Sequence, residues 1–228
     1  MSQTFQTIDH IGTSVAERNR VLRNTYWLLA LSMVPTVLGA WLGIATGITA
    51  SLGGIVGLLV FLGGAFGFMF AIEKTKNTAA GVPVLLGFTF FMGLMLSRLL
   101  AMVLGFKNGS ELIMTAFAGT AGVFVLMASL STVIKRDLSG IGKWLTVGAL
   151  VLMVGAIINV FVGSSTGMAV ISMMAVGIFS AFILYDLKRI IDGGETNYIT
   201  ATLGIYLSVF NVFQSLLSLL GLFGGERD

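Results

Sequence analysis

The sequence predicts an all-α polytopic membrane protein, a bundle of seven transmembrane helices. Three observations carry this. Of 228 residues, 56% are hydrophobic and only 10% are charged, with a mean hydropathy of +0.98; a soluble domain carries about 25% charged residues. Glycine is abundant, at 30 residues, while proline is nearly absent, at two, a balance suited to helices whose backbones approach closely within a bilayer. The apolar residues also fall into seven runs, 27–48, 53–72, 82–103, 113–134, 144–162, 166–187 and 198–223. Each is near the roughly 20 residues that cross a hydrocarbon core, and none shows the period-two alternation of a membrane barrel.

Between these runs the loops are short, so the chain divides into a polar N-terminal tail (1–24), one seven-helix bundle (25–224) and a short C-terminal tail (225–228). No apolar h-region opens the chain, so no cleavable signal peptide is expected. Ser14-Val15-Ala16-Glu17 has capping-box spacing. Two readings of the tail stand: a helix that starts at Ser14 and runs into the first span, or a frayed polar segment.

Basic residues set the orientation. Arg18, Arg20, Arg23, Lys74, Lys76, Lys135, Arg136, Lys143, Lys188 and Arg189 lie at one face, and Arg98, Lys107 and Arg227 at the other, ten against three. The positive-inside rule puts the N-terminus in the cytoplasm and, after seven spans, the C-terminus on the opposite side. Clusters between apolar runs are an orientation signal, not a nucleic-acid footprint. Tyr26, Trp27, Trp144 and Tyr198 sit where interface anchors belong.

Glycines repeat at four-residue spacing: Gly39, Gly43 and Gly47 in the first run, then Gly53 with Gly57 and Gly63 with Gly67 in the second. Such faces admit a neighbouring helix, chiefly within the bundle, with a dimer contact as the alternative.

Few residues can carry chemistry. There is no cysteine, and the single histidine, His10, lies in the tail, which excludes thiol nucleophiles, disulfides and soft-metal sites. No nucleophile–base pair, zinc-protease motif or phosphate-binding glycine loop occurs, so no enzyme activity, cofactor or resident metal is expected. Two ionisable groups fall inside apolar runs, where each costs about 2.5–3.5 kcal/mol. Arg98 has a long stem that can snorkel to the outer headgroups, with Glu111 as a candidate partner. Asp186 is too short to snorkel far. It is either an interfacial carboxylate paired with Lys188 or Arg189, or a titrating or cation-contacting group. In the last run Thr200, Gly204, Ser208, Asn211, Ser215 and Ser218 fall within an arc of about 80° at 100° per residue. That polar stripe avoids lipid, either as glue between helices or as the lining of a narrow wet path.

Three segments resemble the Bax inhibitor-1 family, over essentially all seven runs. Thr115-Ala116-Phe117-Ala118-Gly119-Thr120-Ala121 followed by Lys135-Arg136-Asp137-Leu138-Ser139-Gly140-Ile141-Gly142 is similar to the family's T-A stretch and K-R-D-L-S-x-x-G. Ile183-Leu184-Tyr185-Asp186 is similar to its I-L-Y-D, and Ile205-Tyr206-Leu207-Ser208-Val209-Phe210-Asn211 to its L-Y-L-D-x-x-N. Val21-Leu22-Arg23-Asn24-Thr25-Tyr26 and Gly193-Gly194-Glu195-Thr196-Asn197-Tyr198-Ile199 look like segments of a bacterial subgroup whose members modulate the FtsH protease.

That resemblance implies an inner-membrane protein that associates with a membrane-anchored AAA protease of the FtsH type. The cytoplasmic tail would be the handle that the protease grips, and the segment from Gly193 to Tyr198 a candidate partner contact. Channel-like relatives imply a second role, a proton-sensitive calcium leak latched by two aspartates. The first matches Asp186; the second position is Ser208, with Asn211 one turn on, so carboxylate-pair gating does not carry over. Leu96-Ser97-Arg98-Leu99 also departs from the family's Gly-Pro step, making the intramembrane charge of Arg98 peculiar to this chain.

Overall fold

A computed structural model describes residues 2–49, 52 and 54–226, with the side chains of residues 2–14 left undescribed. Gly53, Arg227 and Asp228, and the side chains of His10 and Ser14, therefore lie outside the described residues. Seven helices follow in order: α1 (Ser2–Thr46), α2 (Gly54–Thr75), α3 (Gly81–Leu104), α4 (Gly109–Val133), α5 (Ile141–Val162), α6 (Ser165–Ile191) and α7 (Tyr198–Gly224). All seven are long and apolar enough to cross a membrane, as the hydropathy runs predict. This is a multi-pass membrane protein.

Helix limits follow local chemistry. Ser164 accepts from Gly167 N–H at 3.0 Å to start α6, and Gly163, at φ +67°, turns the chain out of α5; that left-handed backbone suits glycine. Pro83 falls in the first turn of α3, where a missing N–H leaves no bond unmade. The helical backbone of α1 begins at Ser2, ahead of the Ser14 capping box.

α1, α3 and α7 form the interior. Fully buried Leu85 and Phe88 of α3 and Ile205, Tyr206, Val212 and Leu217 of α7 lie at its centre. Along the α1–α3 seam the backbones nearly touch. A methyl on Gly39 would strike Phe90 O, one on Gly43 the Ser97 side chain, and one on Gly93 Thr36 O. Two of the predicted approach glycines thus do their work within the bundle.

Others do not. Gly63 and Gly67 meet nothing within 4 Å, and neither does Gly47, which instead leaves α1 at φ +63°. Spacing marks a face that could accept a helix, but on α2 no helix of the bundle lies against it.

Polar groups in the seam pair with one another. Thr36 Oγ1 lies 2.9 Å from the Tyr206 hydroxyl, and Thr49 Oγ1 lies 2.7 Å from Ser97 Oγ. Thr36 also donates to Ser32 O at 2.8 Å. Pairing is what makes polar atoms tolerable in a medium without water.

Candidate functional site

The predicted polar residues converge where α6 ends and α7 begins. Asp186, on the turn before the end of α6, faces Gly204 of α7. A methyl there would sit 3.1 Å from Asp186 Oδ2, so glycine is what lets the carboxylate lie against the neighbouring backbone.

Neither expected partner pairs with Asp186. Lys188 Nζ binds Asp192 Oδ1 at 2.5 Å, and Arg189 Nη2 binds Glu195 Oε2 at 3.2 Å. The reason is partly helical geometry: residues two apart do not face each other, whereas Lys188 and Asp192 have the favourable four-residue spacing. Arg189 is drawn off by the following loop, where its Nε also donates to Gly194 O at 3.2 Å. Among the described residues the Asp186 carboxylate has no hydrogen bond and no ion pair. Thr200, one turn before Gly204 on α7, adds a buried hydroxyl that is also without a partner.

The rest of the α7 stripe turns inward but bonds to its own helix. Ser208 Oγ donates to Gly204 O at 3.0 Å, and Asn211 Nδ2 to Leu207 O at 2.8 Å. Ser208 and Ser215 are buried. Ser208 and Asn211 thus satisfy themselves locally, and among the described residues no side chain of the stripe hydrogen-bonds across to a neighbouring helix.

The segment from Gly193 to Tyr198 is a knot between helices. Gly193 takes φ +82°. Asn197 Oδ1 accepts from Ile199 N–H at 2.9 Å and Thr200 N–H at 3.1 Å, capping α7, while its Nδ2 donates to Lys76 O at 3.2 Å and Asn77 Oδ1 at 2.8 Å in the α2–α3 turn. Glu195 Oε1 accepts from Asn197 N–H at 2.9 Å. Arg18 of α1 donates to Ile191 O at 3.2 Å beside it. Gly194 and Thr196 remain exposed. Sequence reasoning singled out this loop but missed that Asn197 fixes it; the N-cap position before an apolar run was the available sign.

Nearby, the α4–α5 loop folds onto α6. Asp137 accepts from Ser139 N–H at 2.8 Å and Ser139 Oγ at 2.9 Å. These bonds, the backbone one first, hold its carboxyl below the usual range, with a smaller contribution from the charge of Lys188. Gly142 lies under the Tyr185 ring. The K-R-D-L-S-x-x-G and I-L-Y-D stretches thus meet in space.

Arg98 stands apart from this cluster, exposed near the other end of the bundle. Its guanidinium donates to Leu52 O at 3.0 Å, a loop carbonyl, and forms no ion pair with Glu111 among the described residues. That reach to a helix end is the behaviour expected of a snorkelling side chain. No group of three or more metal-ligating side chains occurs among the described residues.

Comparison with known proteins agrees with this arrangement. The profile of the family described as "Inhibitor of apoptosis-promoting Bax1" matches residues 18–225. The chain is 36% identical over 212 residues to the Escherichia coli "Modulator of FtsH protease YccA", covering 93% of this chain and 94% of that one. It is 37% identical over 207 residues to an uncharacterized membrane protein of Vibrio cholerae, covering 90% and 91%. An uncharacterized protein of Pseudomonas aeruginosa is 36% identical over 219 residues, covering 95% and 96%. With seven spans, the paired motif loops and full-length matches of this kind, the chain belongs to the Bax inhibitor-1 family.

Proposed function

We propose that this protein binds and modulates a membrane-anchored AAA protease of the FtsH type, in the bacterial inner membrane, with residues 1–24 in the cytoplasm and the C-terminal tail in the periplasm. The observation that carries the reading is the 36% identity, over nearly the whole of both chains, to the E. coli protein named as a modulator of FtsH protease. A second relative from that species is named an inner membrane protein. The ten-to-three split of basic residues supports the orientation.

The tail is the handle in this reading. Its polar composition gives it little apolar surface to bury, so an ATP-driven protease can start pulling there without first breaking the bundle. Capture of the tagged full chain in mild detergent should recover the protease. Deleting residues 2–20 should slow the chain's own turnover while leaving the bundle folded. Equal turnover of the two forms would remove the handle, and absence of the protease from repeated captures would remove the partner.

One observation favours a second reading, a proton-modulated calcium or cation leak. Among the described residues, Asp186 and Thr200 present oxygens without partners at the α6–α7 junction. Calcium takes six to eight oxygens, so these could only form a weak, passing contact. Dye-loaded liposomes carrying the purified protein test it: flux that falls on Asp186→Asn supports a leak, and no flux at any pH rejects it.

A further inference from the structure

The segment Val21-Leu22-Arg23-Asn24-Thr25-Tyr26 has residues with no task in the site above. It divides by face. Val21, Thr25, Leu28 and Leu29 are buried against the bundle. Leu22, Arg23 and Tyr26, with Asn19 and Trp27, instead line a shallow, open groove on the outer side of α1. It lies beside α4: the Tyr26 ring meets the Phe124 ring edge-on at 6.2 Å. The two helices do not close on each other there, and this aromatic contact spans the gap.

From this geometry we infer that the groove binds one anionic phospholipid, its phosphate on Arg23 and Asn19 and an acyl chain along Leu22, Tyr26 and Trp27. The chemistry at each level of the groove matches a lipid laid along the helix. Arg23 is exposed and has no hydrogen bond or ion pair among the described residues, and the same holds for Arg20 on the adjoining face. A guanidinium fits a phosphate bidentately, and an amide such as that of Asn19 adds a donor. One turn deeper, Trp27 is 73% exposed, and Tyr26 and Trp27 rings are the kind that settle at the headgroup boundary. Below them α1 is apolar, where a chain would continue.

Charge selects the lipid. The acid closest in sequence, Glu17, falls about 150° round the helix from the centre of the groove at 100° per residue, so Arg23 is not neutralised from its own element. From α4 the packed contact is Phe124, which carries no charge. Lys135 and Arg136, which follow α4 in sequence, reinforce the positive potential at this end of the bundle. Basic side chains at the ends of spans attract anionic headgroups in this way. The proposal is independent of the protease reading, since it needs only the groove and the bilayer.

Native mass spectrometry on the full chain tests it. The delipidated protein is offered equal phosphatidylglycerol and phosphatidylethanolamine. The wild type should retain the anionic lipid with a preference of about fivefold, the worth of one basic side chain at a charged surface. Arg23→Gln should bring that preference close to one without changing the melting temperature in detergent, because Arg23 has no partner to lose. Lys143→Gln, at the same end but outside the groove, should leave it unchanged. Trp27→Ala should lower retention of both lipids and keep their ratio. Excess inorganic phosphate should displace neither lipid; displacement would show that the groove reads phosphate alone and would overturn the lipid assignment. Full selectivity in Arg23→Gln, or equal loss in Lys143→Gln, would overturn the site.

Discussion

The α1–α3 seam and the α6–α7 junction both rest on glycine, and they use it to opposite ends. In the seam, Gly39, Gly43 and Gly93 let two backbones meet, and the hydroxyls nearby are paired: Thr36 with Tyr206, Thr49 with Ser97. At the junction, Gly204 makes room for a carboxylate that has no hydrogen bond among the described residues, and the Thr200 hydroxyl beside it is buried and unpaired there. A region built for stability leaves few polar atoms unmatched, because each such atom costs about 1–3 kcal/mol. Thr200 Oγ1 is one of two buried hydroxyls without a partner among the described residues, the other being Thr25 Oγ1 on α1; what sets the junction apart is that its idle hydroxyl lies beside a half-buried carboxylate that also makes no bond.

The largest test of this contrast is Gly93→Ala. A single methyl would meet the backbone of Thr36, which cannot swing aside as a side chain can. A loss of about 3 kcal/mol or more is expected, seen as a large fall in melting temperature in detergent, while Gly67→Ala, which meets nothing within 4 Å, should stay within about 0.5 kcal/mol. Similar losses at both positions would mean the seam is not the tight region. Next comes Asn197→Ala, which removes the α7 cap and the tie to the α2–α3 turn together. Cap loss alone costs about 1 kcal/mol, so a total near 2 kcal/mol is expected. A neutral result would return the loop from Gly193 to Tyr198 to a pure partner contact. Tyr206→Phe should cost less, about 1 kcal/mol. Thr36 keeps its bond to Ser32 O at 2.8 Å when the phenol is gone, so no new unpaired group is created on α1. A loss beyond about 3 kcal/mol would instead indicate a coupled network in the seam.

How far the sequence discloses this architecture depends on whether a feature is local. Spans are local: the last apolar run, 198–223, and α7 (Tyr198–Gly224) nearly coincide, because hydropathy and an asparagine cap act over a few residues. Helix neighbours are not local. Gly39 with Gly43 and Gly63 with Gly67 look alike in sequence, yet one pair faces α3 and the other faces no helix of the bundle. Asp186 was legible by rarity, since an acid in an apolar run needs a reason. Its pairing was half legible: residues two apart on a helix cannot meet, which removes Lys188. Only the fold of the next loop shows that Glu195 takes Arg189. The groove at Arg23 is legible only in part: Asn19, Leu22, Arg23, Tyr26 and Trp27 have the spacing of one helix face, but spacing alone does not show whether a neighbouring helix covers that face.

Asp186→Asn carries the smallest expected effect on stability and the sharpest meaning. The amide has nearly the same shape, so contact with Gly204 is kept and no cavity opens. A carboxylate held by hydrogen bonds or a salt bridge would lose about 1.5–3 kcal/mol on such a change. Asp186 has neither among the described residues, and the ion pairs around it, Lys188 with Asp192 and Arg189 with Glu195, are complete without it. The melting temperature in detergent should therefore hold steady or rise slightly, since partly burying a carboxyl group that no bond compensates works against folding. A fall of more than about 1 kcal/mol would make Asp186 a structural member like Thr36, and the junction would then differ from the seam in degree only. A steady melting temperature together with altered ion flux or altered protease association would leave function as the reason for a half-buried acid that the fold itself does not need.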